Sequence, residues 1–372
     1  MLLALQVLRC LALAPLAVLA AVAVVRVPVG ALWKPAVVAT EWGHVLALVA
    51  LAVSIPVGSR RPDVPGWLAL GCALALLSPW ARSLPVAARL GRELDAAFGP
   101  GAPIVLARPG LGLVEPVAVR TLAAPDASGA PGRVDWYAGR PGAPLVVAIH
   151  GGSWNSGDPG QLPAMYHRLA GRGYHVAALS YRLLPAHRHP AQAHDIAAAI
   201  AWLRAQPLGH DPDRLVLYGR SAGGQLALLH ALQARDPAIR GVLALYPVTD
   251  FDWSWDHPTD PRVVDTFGTI AGLLGRRRED DPERAVYREA SPYFHLAPGA
   301  PPMLLAHGGR DELVFVEQSE RFVAAARRHG ATAHLLALPW ATHGFDANLD
   351  GPGGQLWCQA TDRFLDRFAP LP

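Results

Sequence analysis

Ser221 lies in the run GRSAGG (residues 219–224), Asp311 in HGGRDELV and His343 in THGF. These three types together perform nucleophilic acyl transfer. A serine hydroxyl is a poor nucleophile at neutral pH, so an imidazole must take its proton and a carboxylate must orient that imidazole. The acid follows the serine by 90 residues and the histidine follows the acid by 32. Glycine fills 36 of 372 positions, so a G-x-S-x-G run arises by chance in on the order of one such chain in ten. The elements around it must carry the case.

Those elements alternate. LVVAIHGG (residues 145–152) is a continuous apolar run ending in glycine, as for a strand buried on both faces of a parallel sheet. Next come a helix near Gln161 to Gly171, the strand HVAALSY, the helix AQAHDIAAAIAWLRA, the strand RLVLYG, a helix from Ala222 to Arg235 and the strand GVLALYP. After an irregular stretch the order resumes with MLLAHG, EQSERFVAAARRHG, AHLLALPW and a last helix through Leu365. EPVAVRTL and RVDWYA read as two earlier strands. Such alternation implies right-handed crossovers and an α/β, doubly wound, mostly parallel sheet, which binds ligands at the carboxyl ends of its strands.

Ser221 falls between a strand and a helix, where a nucleophile elbow belongs. Gly219 and Gly223 are needed there because the turn packs too tightly for a Cβ. Asp311 and His343 each follow a strand end, on the same rim. The oxyanion of an acyl transfer needs fixed donors. Ala222 supplies one backbone N–H, and Gly151 and Gly152 of AIHGGSW supply two more. The second HGG, His307 to Gly309, follows the strand that carries the acid and reads as a turn.

At these residues the chain resembles a known family. HGGSW, YRLLP followed by His189-Pro190, GRSAGG, YPVTD, SPYFH, HGGRDELV and THGF occur in the order of alpha/beta-hydrolase esterases of the hormone-sensitive-lipase and acetyl-esterase type. The similarity covers about residues 145–364. It implies Ser221 as nucleophile, His343 as general base and then acid, Asp311 as the orienting carboxylate, and Gly151, Gly152 and Ala222 as the oxyanion hole. Where the lipase-like branch has a third glycine, Ser153 and Trp154 follow, as in kynurenine formamidases and feruloyl-esterase-like members. The resemblance therefore leaves ester and aryl-formamide hydrolysis both open.

Other candidates have plainer readings. His150 braces its turn. His187, His189 and His194 lack the supporting partners of a metal site, and Asp158 and Asp195 read as loop-fixing carboxylates. Asp250 also follows a strand end and is the rival acid; the match to HGGRD favours Asp311. Glu312 and Asp346 read as solvated neighbours. Within the insertion 251–299, Phe251, Trp253, Trp255 and Phe267 form either a satellite core or an apolar lid. Trp154, Phe251, Trp253 and Trp255 are the candidate substrate contacts.

The front of the chain differs in kind. Three apolar stretches of 16 residues, Cys10–Val25, Trp42–Val57 and Pro65–Trp80, approach the ~20 needed to cross a bilayer. Trp33, Trp42, Trp67 and Trp80 sit at their ends and Arg26, Arg60, Arg61 and Arg82 just outside, the punctuation of an interface. A cleaved signal peptide at Ala21-Val22-Ala23 is disfavoured, because seven apolar residues and a glutamine precede Arg9 and further apolar stretches follow. With three basic residues on one side of three spans and five on the other, orientation stays open. Glu41 and His44 read as interfacial.

The first hundred residues carry eight basic and four acidic groups, the remainder 25 and 26. A nearly neutral globular portion gives no reason to expect nucleic acid. Lys34 is the only lysine. Cys10, Cys72 and Cys358 form neither a disulfide framework nor a zinc motif.

The expectation is a transmembrane region of about three spans over residues 1–82, an amphipathic helix and linker over 83–114, lying on the membrane or folded over the next domain, and an alpha/beta-hydrolase domain over 115–372. It would be a multi-pass membrane serine hydrolase of a small-molecule ester or lipid-like substrate, with the bilayer as partner and no cofactor or metal. A formamidase, or a silent membrane-bound interaction protein, are the alternatives.

Overall fold

The computed structural model describes residues 2–56 and 63–372. Val57, Arg60 and Arg61, which close and flank the second apolar stretch, lie outside the described residues. Among the described residues four α-helices come first: α1 (Leu2–Val24), α2 (Trp33–Glu41), α3 (Gly43–Ser54) and α4 (Val64–Phe98). Two of them, α1 and α4, are long and apolar enough to cross a membrane; α2 and α3 meet at 84° and make a third passage if the bent pair counts as one.

Outward-facing Leu5, Val7, Leu8, Leu11, Val18, Leu48, Trp67, Leu68 and Leu74 are exposed, while Leu16, Ala20, Ala23, Ala39, Ala47, Ala50, Ala73 and Leu76 pack inward. Small residues let the helix backbones approach closely, as in lipid-embedded bundles. At one end of this bundle Arg9 pairs with Asp63 at 2.8 Å, and Asp63 caps α4 by accepting from the Gly66 N–H.

The third apolar stretch and the expected amphipathic helix are one continuous helix that runs across residue 82. Pro79 and Pro85 lie inside α4 without ending it; Gly99, at φ +91°, does. Beyond Trp80, the buried Val86, Leu90, Leu94 and Phe98 recur every four residues and pack on the core of the α/β domain. Phe98 stands edge-on to Phe364 of the last helix, with ring centroids 5.3 Å apart. One helix axis thus carries an exposed apolar face first and a core-facing stripe afterwards, which is why the change in sequence pattern is no break in structure.

The α/β domain is built from β1 (Val119–Pro125), β2 (Pro131–Tyr137), β3 (Pro144–Ile149), α5 (Ala164–Arg172), β4 (His175–Leu179), α6 (Ala191–Arg204), β5 (Asp211–Arg220), α7 (Ala222–Ala234) and β6 (Ile239–Leu245). The insertion holds α8 (Phe251–Asp256), α9 (Thr266–Leu274) and α10 (Ala285–Ala290), followed by β7 (Met303–Gly308), α11 (Glu317–Arg328), β8 (Ala333–Leu338) and α12 (Pro352–Phe368). The sheet runs β1-β2-β4-β3-β5-β6-β7-β8, antiparallel where β2 meets β1 and β4 and parallel elsewhere.

Burial explains the continuous apolar runs. Leu145, Val147, Ile149, Leu215 and Leu217 face one core; Val146, Ala148, Val216 and Tyr218 face the other, the two-residue period of a sheet covered on both sides. From β3 the chain steps to β4 on one side and returns to β5 on the other, so the order reverses between β3 and β5. That crevice is where such sheets bind ligands. The three cysteines are free thiols, Cys72 and Cys358 buried.

Candidate active site

The register of β3 against β5 pairs Ile149 with Gly219, so the loop after one strand meets the turn after the other. Ser221 occupies that turn with φ +52° and ψ −119°, a backbone conformation that costs a non-glycine residue about 1–3 kcal/mol. The packing leaves no relief. A Cβ on Gly219 would collide with the backbone of Gly223, and one on Gly223 with the carbonyl oxygens of Ile149 and His150. The serine is thereby held at the start of α7, on the wall of a cavity of about 420 Å³, within the range of small-molecule sites.

His343 lines the same cavity. Its Nδ1 lies 2.6 Å from Asp311 Oδ2, and the other carboxylate oxygen accepts the Leu313 and Val314 N–H groups, each at 2.9 Å. Burial opposes charge on Asp311, but His343 and the hydrogen bonds from His307 and His343 outweigh it and hold the carboxyl well below its ordinary range. An ionised carboxylate accepts only, so Nδ1–H donates to it, and in the neutral ring Nε2 then presents the lone pair. Among the described residues the Ser221 hydroxyl makes no hydrogen bond; the two side chains share the cavity wall, and such bonds often tighten only with substrate bound.

Of the three expected oxyanion donors, Gly151 is corrected. Its N–H donates to Gln161 Oε1 at 3.0 Å and so is not free for a ligand. The N–H groups of Gly152, Ser153 and Ala222 have no partner among the described residues. Gly152, at φ +117°, fits against the Ser156 backbone where no side chain could, and Ser153, at φ +50°, continues the left-handed turn. In the sequence the glycine signal points to its neighbours and passes Ser153 over.

Behind the serine lies a buried ion pair that motif reading also missed. Arg220 is 2% exposed and its guanidinium pairs through Nε with the carboxylate of Asp346. The same guanidinium donates to Tyr166 Oη at 2.7 Å and to the Leu162 carbonyl at 3.1 Å. Tyr246 donates its hydroxyl to Asp346 at 2.6 Å, and its ring lies 4.1 Å from that of His343, centroid to centroid. Asp346 is therefore not a solvated neighbour but a link between the serine's strand end and the histidine's loop. Glu312, also expected in solvent, is largely buried and pairs with Arg26 at 3.3 Å.

Asp250 serves another purpose: it caps α8 through the Trp253 N–H and pairs with Arg321, both at 3.0 Å. His150 stacks on Tyr181 at 4.3 Å and contacts the Gly151 carbonyl; burial pulls its basicity down. Asp195 holds Arg182 and the Ala127 N–H, and Asp158 the Gly160 N–H. Among the described residues no group of three His, Cys, Asp or Glu side chains, His187, His189 and His194 included, is placed to hold a metal ion. Trp154, Phe251 and Trp253 line the cavity. Trp255 does not: it packs edge-on to Phe267 and Tyr287, at 4.7 and 5.7 Å between centroids, and belongs to the core. The insertion is therefore no separate satellite core: its buried residues join the main core of the domain, and some of its residues line the cavity.

The N-terminal region reaches this site. Trp33 and Lys34 line the cavity, and the Trp33 indole donates to the His343 carbonyl at 2.6 Å. Arg310, next to Asp311, donates to the Val22 and Ala23 carbonyls that end α1, at 2.7 and 2.6 Å. Its burial, with Arg82 nearby, brings the guanidinium down to about 10. Glu41 is wholly buried against the Gly353 N–H, and its carbonyl accepts from Asn348, so it belongs to this contact.

A mostly parallel sheet with helices on both faces and a strained serine at its switch point defines an alpha/beta hydrolase. Residues 137–325, about half of the chain, match the family profile described as BD-FAE, and the chain belongs to that family. It is 35% identical over 224 residues to Esterase LipC of Mycobacterium tuberculosis, a match covering 56% of this chain and 54% of that protein. To Carboxylic ester hydrolase LipN of the same organism it is 32% identical over 235 residues, covering 57% and 59%. The chain thus spans little more than half the length of these relatives. Among solved structures, the Pyrobaculum calidifontis esterase superposes with a TM-score of 0.58 at 27% identity, covering 68% of this chain and 87% of that one. Esterase Est2 from Thermogutta terrifontis gives 0.58 at 24%, covering 70% and 98%, a likeness of fold.

Proposed function

We propose that this chain is a membrane-anchored serine hydrolase of carboxylic esters. The observation that carries it is the convergence on one cavity of Ser221 in its strained turn and His343 with its Nδ1 2.6 Å from Asp311. In this reading His343 Nε2 takes the Ser221 proton as Oγ attacks the ester carbonyl, and the N–H groups of Gly152, Ser153 and Ala222 receive the developing oxyanion. His343 returns the proton to the alkoxide as the C–O bond breaks. Water, deprotonated by the same imidazole, then releases the acid and restores the serine. The likeness to Esterase LipC and Carboxylic ester hydrolase LipN supports this class.

Anchoring is supported by α1 and α4, each long and apolar enough to cross a bilayer. The proposed organisation is an N-terminal helical region, a long helix shared with the next unit, and a hydrolase domain with the insertion 251–299 over its site. Full-length protein in detergent should hydrolyse p-nitrophenyl esters of short to medium acyl length, lose that activity in Ser221→Ala, and turn over N-formylkynurenine poorly. Preference for the formamide would replace the ester with its nearest rival, and equal activity in Ser221→Ala would remove the serine mechanism.

A further inference from the structure

The cavity that holds Ser221 and His343 has an unusual inventory of charge. Among the described residues lining it there is no aspartate or glutamate, and two permanent cations, Arg220 and Lys34. Arg220 is neutralised from behind by Asp346. Lys34, the only lysine in 372 residues, has no carboxylate partner among the described residues. The histidines are the only other groups there able to carry positive charge. An anion placed in this cavity would meet one free ammonium and no opposing carboxylate.

Where Lys34 stands says which part of an ester it would meet. Its neighbour Trp33 is fixed to the histidine's loop by the indole hydrogen bond at 2.6 Å to the His343 carbonyl, with the two rings 6.1 Å apart. The group leaving the serine must receive its proton from that imidazole, so the alcohol portion of a substrate departs on the side of His343 and Trp33. The other walls include Val248, Phe251, Ile270 and Leu313, suited to a hydrocarbon acyl chain. Lys34 also follows the end of α1, where exposed Val24 and Val25 give way to Arg26. In the proposed anchoring this is the level at which a bilayer's polar groups begin.

The geometry points to Lys34 as a specificity-determining residue that selects esters with an anionic group, phosphate or carboxylate, on the alcohol portion and an apolar acyl chain. This rests on the ester-hydrolase reading above. The helical N-terminal region then supplies part of the substrate site as well as an anchor. The anion could belong to a lipid headgroup or to a soluble ester, and both share the chemistry of an ammonium facing a phosphate or carboxylate.

The test uses full-length protein in nanodiscs and two monomeric substrates with the same acyl group, butyrylglycerol and butyryl-glycerol 3-phosphate. The expected result is a higher kcat/KM for the phosphate ester. That anionic-to-neutral ratio should fall about 5-fold in Lys34→Ala, fall below one in Lys34→Glu, recover in Lys34→Arg, and shrink at high salt as screening requires. An unchanged ratio across the variants overturns the proposal. Hydrolysis of neither ester by the wild type would instead bring down the ester-hydrolase reading, and this inference with it. A second arm presents phosphatidylglycerol or phosphatidylcholine vesicles. A Lys34-dependent preference for the former assigns the anion to a lipid headgroup, and a Lys34-dependent ratio with the monomers alone assigns it to a soluble ester.

Discussion

The indole N–H of Trp33 and the backbone carbonyl of His343 are 2.6 Å apart although 310 residues separate them in the chain. A residue just after the first apolar helix is thereby bonded to the residue that carries the cavity's imidazole. Replacing Trp33 by Phe keeps a ring but removes the donor, a loss of about 1 kcal/mol. If the bond holds the imidazole in place, ester turnover should drop about 3- to 10-fold, more in kcat than in KM. Wild-type kcat in Trp33→Phe would deny the contact any positioning role.

Two aspartates follow strand ends, and their surroundings separate them. Asp311 faces His343, whereas Asp250 is committed to a helix cap and to Arg321. Asp311→Asn is expected to lower kcat by about 10⁴, because the imidazole loses its orienting carboxylate and tautomer. Asp250→Asn should retain activity and lose about 1 kcal/mol of stability with its cap. Steady-state kinetics paired with thermal melts distinguishes them, and the reverse pattern would exchange their roles.

The pair of Arg220 and Asp346 is buried on both sides. Removing one partner strands a charge, so Arg220→Met and Asp346→Leu should each destabilise by about 3–5 kcal/mol. The double substitution should cost less than the sum of the two. Strict additivity in this double-mutant cycle would mean the groups do not interact.

Much of this arrangement is legible in the sequence. The alternation of apolar runs and helical patterns gives the sheet, and chain order with strand-end placement gives Ser221, Asp311 and His343, because both depend on local periodicity and on where turns fall. What was not legible depends on contacts between distant segments. Nothing local to Gly151 says that its N–H would be taken by Gln161, ten residues on. Nor does Arg220 announce a partner 126 residues away. Trp255 resembles its neighbours in type, and only packing against Phe267 and Tyr287 sends it to the core. The continuity of α4 across residue 82 was not legible for a different reason: hydropathy changes there while the helix does not.

Stability should depend on pH through His334, in β8 beside Phe98. Burial, reinforced by the charge of Arg327, brings its imidazole down to about 4. Glu93, 3.8 Å away but 41% exposed, does not offset this. The folded value lies below the ~6.5 of an unfolded chain, so between the two the unfolded state binds the proton. This contribution is complete above about pH 6.5 and is lost as pH falls toward 4, by about 3 kcal/mol at most. Melting of the protein in detergent at pH 7.5 and 4.5 should show a smaller drop for His334→Gln than for wild type. Identical drops would place the pH sensitivity elsewhere.

Labelling with a fluorophosphonate probe asks whether Ser221 is a nucleophile activated by His343. Intact-mass and peptide mapping should find one phosphonyl adduct, on Ser221, absent in Ser221→Ala and formed far more slowly in His343→Ala. A folded wild-type protein that takes no label, or takes it at another residue, would rule Ser221 out as that nucleophile.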